Sequence, residues 1–328
     1  MADTLSLSEA AGRFLRHISV EYTQQTVTAY RQSLNLLIAV IQNNQQTAAS
    51  GTALSSLTPQ HLKQYADFLR AERSIETEHL YTRGLLAFLE YSHDQGWHSL
   101  GVSTLANYIE QHRRPKERRL HEPPVDEIET VIRYIQTAPV PPPDDSLKRE
   151  RLRVLRDKAF IIVLAESGLR VSEICALRRS SLDVKQHLLT VPGTHNPTLP
   201  ISPTAVSAIQ HYLGERRELD AGPHARSSAD LPLFARHDKR AGRRVLPISR
   251  WTGANIVDDW TCAALPPDVR SRLAEEGRTI TPHMFRHFFV VKTLLETGDI
   301  NTTQQLARHS DRATTRRYLV PGETSTSE

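Results

Sequence analysis

The chain has 328 residues, enough for two domains of ordinary size, each able to bury its own core, and 39% hydrophobic and 24% charged residues describe a soluble globular protein. Lys+Arg 41 against Asp+Glu 37 leaves +4; only seven of those bases are lysine, and the arginine bias fits an anionic partner and a compositional drift of the genome equally well. Two cysteines exclude a disulfide framework or a cysteine-rich zinc module, and the longest apolar run, Ala159 to Ala165, is far too short to span a membrane.

The first hundred residues read as helices only. Val27, Tyr30, Leu34, Leu37 and Ile41 step by three and four from Thr26, predicting an amphipathic helix of about four turns. Thr58-Pro59 supplies an N-cap and a first-turn proline for a helix carrying Leu62, Tyr65, Ala66 and Leu69. A third helix carries Leu80, Leu85, Phe88 and Tyr91, and Gly96 is placed to end it. Residues 1–110 are therefore expected to form a helical bundle.

Residues 111–124 (QHRRPKERRLHEPP) hold five bases against two acids and end in a proline pair. That composition suits an exposed linker, one that touches a polyanion or one that is merely solvated. From 125 to 328 the pattern becomes mixed. A helix is predicted from Val125 to Ile135, a stiff proline-rich loop at 138–143, and a strongly apolar helix from Arg153 to Ser167 stopped by Gly168. Leu188–Val191 and Thr198–Ile201 are short strand candidates around Pro192-Gly193. Ser202-Pro203, Ser249 and Thr281-Pro282 read as further helix starts, with a basic loop (ARHDKRAGRR) between the first two. The expected fold is mainly α with a small β-sheet in the second domain.

No two glycines are spaced i, i+2, no Gly-Lys pair exists and HExxH is missing, so dinucleotide, phosphate-loop and zincin chemistry drop out. Three segments of the second half remain. In Ser167-Gly168-Leu169-Arg170-Val171-Ser172-Glu173, a glycine stop followed by a new helix start puts Arg170 at a turn within reach of Glu173, as a structural ion pair or a functional cation. In Thr281-Pro282-His283-Met284-Phe285-Arg286-His287, His283 and Arg286 share one face of a first helical turn, where backbone N–H groups favour an anion. His283 and His287 at i, i+4 could ligate zinc, but Met284 stands where a zincin has its acid. The third segment runs from Leu306-Ala307-Arg308-His309 to Thr314-Thr315-Arg316-Arg317-Tyr318. A tyrosine hydroxyl at neutral pH lies about 4 kcal/mol from its phenolate, so a nucleophilic Tyr318 needs a base and nearby positive charge. Arg170, Arg286, His283 and His309 are residue types that supply both.

SGLRVSEI, HMFRH and LARHSDRATTRRY, in this order and spacing, resemble the signature boxes of the tyrosine recombinases, or phage integrases. The likeness extends over nearly the whole chain and implies a helical core-binding domain (1–110), a basic linker (111–124) and a mixed α/β catalytic domain (125–328). It implies that Tyr318 attacks a DNA phosphodiester to form a 3′-phosphotyrosyl bond. Arg170 and Arg286 would bind the non-bridging oxygens, His283 would move a proton at the tyrosine, His309 would hydrogen-bond the phosphate and Glu173 would orient the site. Double-stranded DNA is the implied partner, with a tetramer as the working assembly and a partner recombinase possible. No cofactor or metal is implied, and with no signal-peptide pattern at the N-terminus a cytoplasmic location is expected.

Two positions depart from the family pattern. The hairpin after the first arginine box usually carries a lysine that protonates the leaving 5′-oxygen; here it reads VPGTHNPTLPIS, and His195 or Lys239 are the candidate substitutes. A general acid contributes roughly 10²–10⁴-fold, so its loss motivates an alternative: a catalytically weakened DNA-binding regulator on the same fold. The glycine usual before the third-box histidine is Arg308. A metal-dependent nuclease is a third reading, which no acidic cluster recommends.

Overall fold

The computed structural model describes residues 5–45, 53–98, 100–115, 122–193, 196–222 and 228–308. The chain divides into two compact units, Met1–Arg118 and Arg119–Glu328. In the first, Ser6 and Glu9 open helix α1 (Leu7–Ile18) as a reciprocal cap, the Glu9 N–H donating to Ser6 Oγ at 3.2 Å and the Ser6 N–H to Glu9 Oε2 at 3.1 Å. Then come α2 (Gln24–Gln45), α3 (Pro59–Glu72), α4 (Ile75–Asp94) and α5 (Val102–His112). Thr58 caps α3 as its sequence predicts, accepting from the His61 N–H. The apolar stripe of α2 meets Phe14, Tyr65, Leu85 and Phe88 in one core. Inside it the Tyr65 hydroxyl donates to the Ser33 carbonyl at 2.9 Å, and Ser33 Oγ donates to the Tyr81 carbonyl at 2.8 Å, so polar groups in the packed centre are satisfied. Within the basic run after α5, Arg114 is already committed: its Nε donates to the buried Glu78 carboxylate at 2.6 Å.

The second unit is assembled around α7 (Lys148–Ser167), preceded by α6 (Val125–Thr137). The seven-residue run Ala159–Ala165 is buried along its whole length because α6, α9 (Pro203–Glu215) and α13 (Pro282–Thr297) all pack on α7. A helix enclosed in this way needs no polar face. After α7 come the short α8 (Val171–Ala176) and a three-stranded antiparallel sheet in the order β1 (Leu182–Asp183), β2 (Leu188–Thr190), β3 (Thr198–Pro200). Leu189, opposite Leu199, turns the inner face of that hairpin into the core. The remaining helices are α10 (Arg217–Asp220), α11 (Arg250–Ala264), α12 (Pro267–Glu275) and α14 (Ile300–Ala307).

A buried polar network fixes the chain between α10 and α11. Arg216, fully enclosed, donates to Asp220 Oδ1 at 2.8 Å and to the carbonyls of Pro232 and Leu233 at 2.8 and 3.0 Å. Tyr212 bonds Arg216 on one side and, through its hydroxyl, His237 Nε2 at 2.8 Å on the other. Burial, reinforced by the charges of Arg156 and Arg216, pushes the His237 imidazole down from 6.5 to about 3. The unfolded chain binds a proton there below pH 6.5 while the folded chain does not, so this ring withdraws stability as pH falls from 6.5 towards 3, by about 1.4 kcal/mol per unit. Urea midpoints taken from pH 7 to pH 4 are expected to fall less steeply for His237→Gln than for the unaltered chain.

Gly168 ends α7 in the left-handed conformation at φ 55°, where a Cβ would stand 2.3 Å from the Phe289 ring of α13. Both the backbone conformation and the approach of the two helices require glycine. Gly168→Ala is expected to lower unfolding stability by about 2–4 kcal/mol in urea titration, combining conformational strain with overpacking.

Candidate active site

Three segments distant in sequence converge beyond the end of α7. Arg170 caps α8; its own N–H donates to Glu173 Oε2 at 2.8 Å and its Nη1 to Glu173 Oε1 at 3.0 Å, with half of its side chain exposed. Arg286, on the second turn of α13, is 4% exposed. Its Nη1 donates to the Gly168 carbonyl at 2.5 Å and its Nη2 to the Ala307 carbonyl at the end of α14. One guanidinium thus ties the turn after α7, 118 residues before it in sequence, to the end of α14, 21 residues after it. Its planar fork allows this; a lysine ammonium could not hold two carbonyls in one plane.

His283 lies one turn earlier on α13, whose N-cap Thr281 accepts from the Met284 N–H at 3.3 Å. Its Nε2 is 2.7 Å from His287 Nε2, with the rings nearly perpendicular. A single proton occupies that N···N bond, so one ring donates and the other accepts. His283 keeps an exposed edge, yet the burial of its inner face, followed by the charges of Arg286 and Arg170, lowers its pKa below 6.5. A lowered pKa favours the neutral form of His283, which can receive a proton.

Arg308 completes the cluster. Its guanidinium is mostly buried and donates through Nη2 to Glu173 Oε2 at 3.0 Å and through Nη1 to the Leu306 carbonyl at 3.2 Å. Burial raises the Glu173 carboxyl, but the Arg170 N–H, the Arg308 charge and the Arg170 guanidinium outweigh it, and Glu173 lies below the usual carboxylate range. Glu173 therefore remains ionised as a shared anchor for two arginines.

The structure brings together Arg170, Glu173, His283 and Arg286, as their sequence boxes lead one to expect. Tyr318, His309 and His195 lie outside the described residues. Lys239 is exposed in the turn that Asp238 closes by accepting the Arg240 and Ala241 N–H groups, and it has no hydrogen bond or ion pair to the arginine cluster among the described residues. No group of three or more metal-ligating side chains occurs among the described residues. Nothing local in the sequence marks Arg308 as the second cation on Glu173. The i, i+4 spacing of His283 and His287 does place the two rings together, and the structure shows them hydrogen-bonded. A separate cavity of about 800 Å³ opens beside α8, rimmed by Arg178, Arg243, Arg244 and Arg250, and contains none of the clustered residues.

Residues 145–323 match the sequence profile of the phage integrase family. The chain is 29% identical to a tyrosine recombinase XerC of Xanthomonas axonopodis pv. citri (strain 306), over 93% of this chain and 90% of the relative. It is 27% identical to a tyrosine recombinase XerC of Herpetosiphon aurantiacus, over 93% and 88%. Among solved structures its fold is similar to the XerH site-specific recombinase bound to difH substrate, with a TM-score of 0.65, 13% identity and coverage of 97% and 95%. It is likewise similar to a lambda integrase (75-356) dimer bound to a COC' core site, with a TM-score of 0.61, 15% identity and 99% of both chains covered. No described helix is long and apolar enough to cross a membrane.

The lowered pKa of His283 has a direct readout. Its imidazole signals in an NMR titration are expected to change with a midpoint below 6.5, and Arg170→Gln is expected to move that midpoint upward by removing one repelling charge. A midpoint at or above 6.5 in the unaltered chain contradicts the assignment.

Proposed function

Since the chain belongs to the phage integrase family, we propose that Tyr318 is the nucleophile with which it cuts and rejoins DNA strands. The protein is a site-specific recombinase of the tyrosine type. The Tyr318 oxygen attacks the scissile phosphorus, its proton passes to His283, and the bond to the 5′-oxygen breaks. The products are a 3′-phosphotyrosine and a 5′-hydroxyl. Attack by a 5′-hydroxyl on the phosphotyrosine reverses the step and reseals a strand, so the bond energy is conserved and no nucleotide triphosphate is consumed.

Arg170 and Arg286 bind the non-bridging oxygens and stabilise the charge of the transition state, with His309 as a further donor. The observation that supports this most directly is the convergence of Arg170, Glu173, His283 and Arg286 from two sequence boxes more than a hundred residues apart. His195 or Lys239 delivers the proton to the leaving oxygen. Segments 1–110 and 125–328, joined by the basic stretch 111–124, contact the duplex, and the arginines around the cavity beside α8 add phosphate contacts. Four copies assemble on two sites, with a second recombinase as a possible partner, in the cytoplasm.

The test uses a nicked suicide duplex carrying a recognition site recovered by in vitro selection. The unaltered protein is expected to accumulate a covalent adduct, Tyr318→Phe to form none while still binding the duplex, and a chelator to leave the adduct unchanged. Adduct formation in the Phe variant at the unaltered rate contradicts the assignment of the nucleophile. Specific binding without any adduct favours the regulator reading.

A further inference from the structure

Arg308 stands where the resembling family has glycine, and it adopts the backbone that glycine suits, φ 54° and ψ 46°. A side chain kept in that conformation needs a compensating interaction. The interaction here is electrostatic. Glu173 Oε2 accepts from Arg308 Nη2 and from the Arg170 N–H, while Glu173 Oε1 accepts from Arg170 Nη1. Among the described residues the Nε and Nη2 groups of Arg170 have no acceptor, which leaves two donors on a half-exposed guanidinium.

The charges then decide the matter. Arg170 and Glu173 alone form a neutral pair, and an anion approaching Arg170 would meet the carboxylate behind it. With Arg308 present the group of three carries a net positive charge. The hairpin that brings a lysine to such sites has none in this chain, reading VPGTHNPTLPIS. We propose that Arg308 is a positioning residue that neutralises Glu173, so that the charge of Arg170 remains available to a phosphate, returning to the site the positive charge its hairpin lacks.

This rests on the recombinase reading, but one of its tests does not. Arg308→Gly suits the local backbone and so removes the guanidinium without disturbing the turn; Arg308→Lys retains the charge. Inorganic phosphate, followed by ³¹P NMR line broadening on the intact chain, is expected to bind about tenfold more weakly to Arg308→Gly and within about twofold of the original to Arg308→Lys. On the suicide duplex at saturating protein, Arg308→Gly is expected to form adduct about tenfold more slowly with unchanged DNA affinity. Millimolar guanidinium, but not sodium at matched ionic strength, is expected to restore the rate.

Equal phosphate affinity in Arg308→Gly and the unaltered chain overturns the proposal, as does an equal adduct rate. If the unaltered chain makes no adduct while Arg308→Gly still weakens phosphate binding, the recombinase reading falls and the role of Arg308 stands. If the unaltered chain makes adduct and Arg308→Gly matches it in both assays, the reverse holds.

Discussion

The guanidinium of Arg286 is the joint on which the catalytic unit depends. It is buried, and its two carbonyl acceptors belong to the turn after α7 and the end of α14. An uncompensated charge in such a position costs several kcal/mol, so the turns after α7 and α14 are kept where those carbonyls can be reached. The same constraint places Arg170 and Glu173, two and five residues after Gly168, and Arg308, which follows Ala307. Geometry for an anion thus follows from satisfying one arginine's donors.

This arrangement explains why the second unit is built around an apolar helix. α7 ends at Gly168, and any slip of α7 against α13 would carry the Gly168 carbonyl away from Arg286. Burial of Ala159–Ala165 on all sides and the contact of Phe289 with Gly168 fix that register. Dispersion and hydrophobic burial supply the rigidity, and the polar cluster at the helix end uses it. A preorganised set of donors loses little further freedom when charge develops on a phosphate.

Much of this was legible in the residues. Thr58-Pro59, Ser202-Pro203 and Thr281-Pro282 marked helix starts correctly because capping is local chemistry. The stop at Gly168 was equally plain, and the two strands around Pro192-Gly193 formed as their β-branched and leucine content suggested. α7 starts at Lys148, ahead of the expected Arg153, because its first turn is charged and carries no apolar signal. The predicted elements do not single out α1 and α5, although Leu7, Ala10, Phe14 and Ile18 repeat at helical spacing. β1 and α10 are too short for any period to emerge. At the site, Arg170 with Glu173 follows from their separation of three residues. The pairing of Arg308 with Glu173 spans 135 residues and depends wholly on the tertiary fold.

The arginine excess can now be apportioned. Arg114, Arg151, Arg178, Arg216, Arg278 and Arg286 each donate to a backbone carbonyl, and several of them grip a carboxylate as well. They work as cross-braces between loops, a task for which five donors on a flat group are suited and an ammonium is not. Swapping these arginines for lysines would preserve their positive charge while loosening the scaffold.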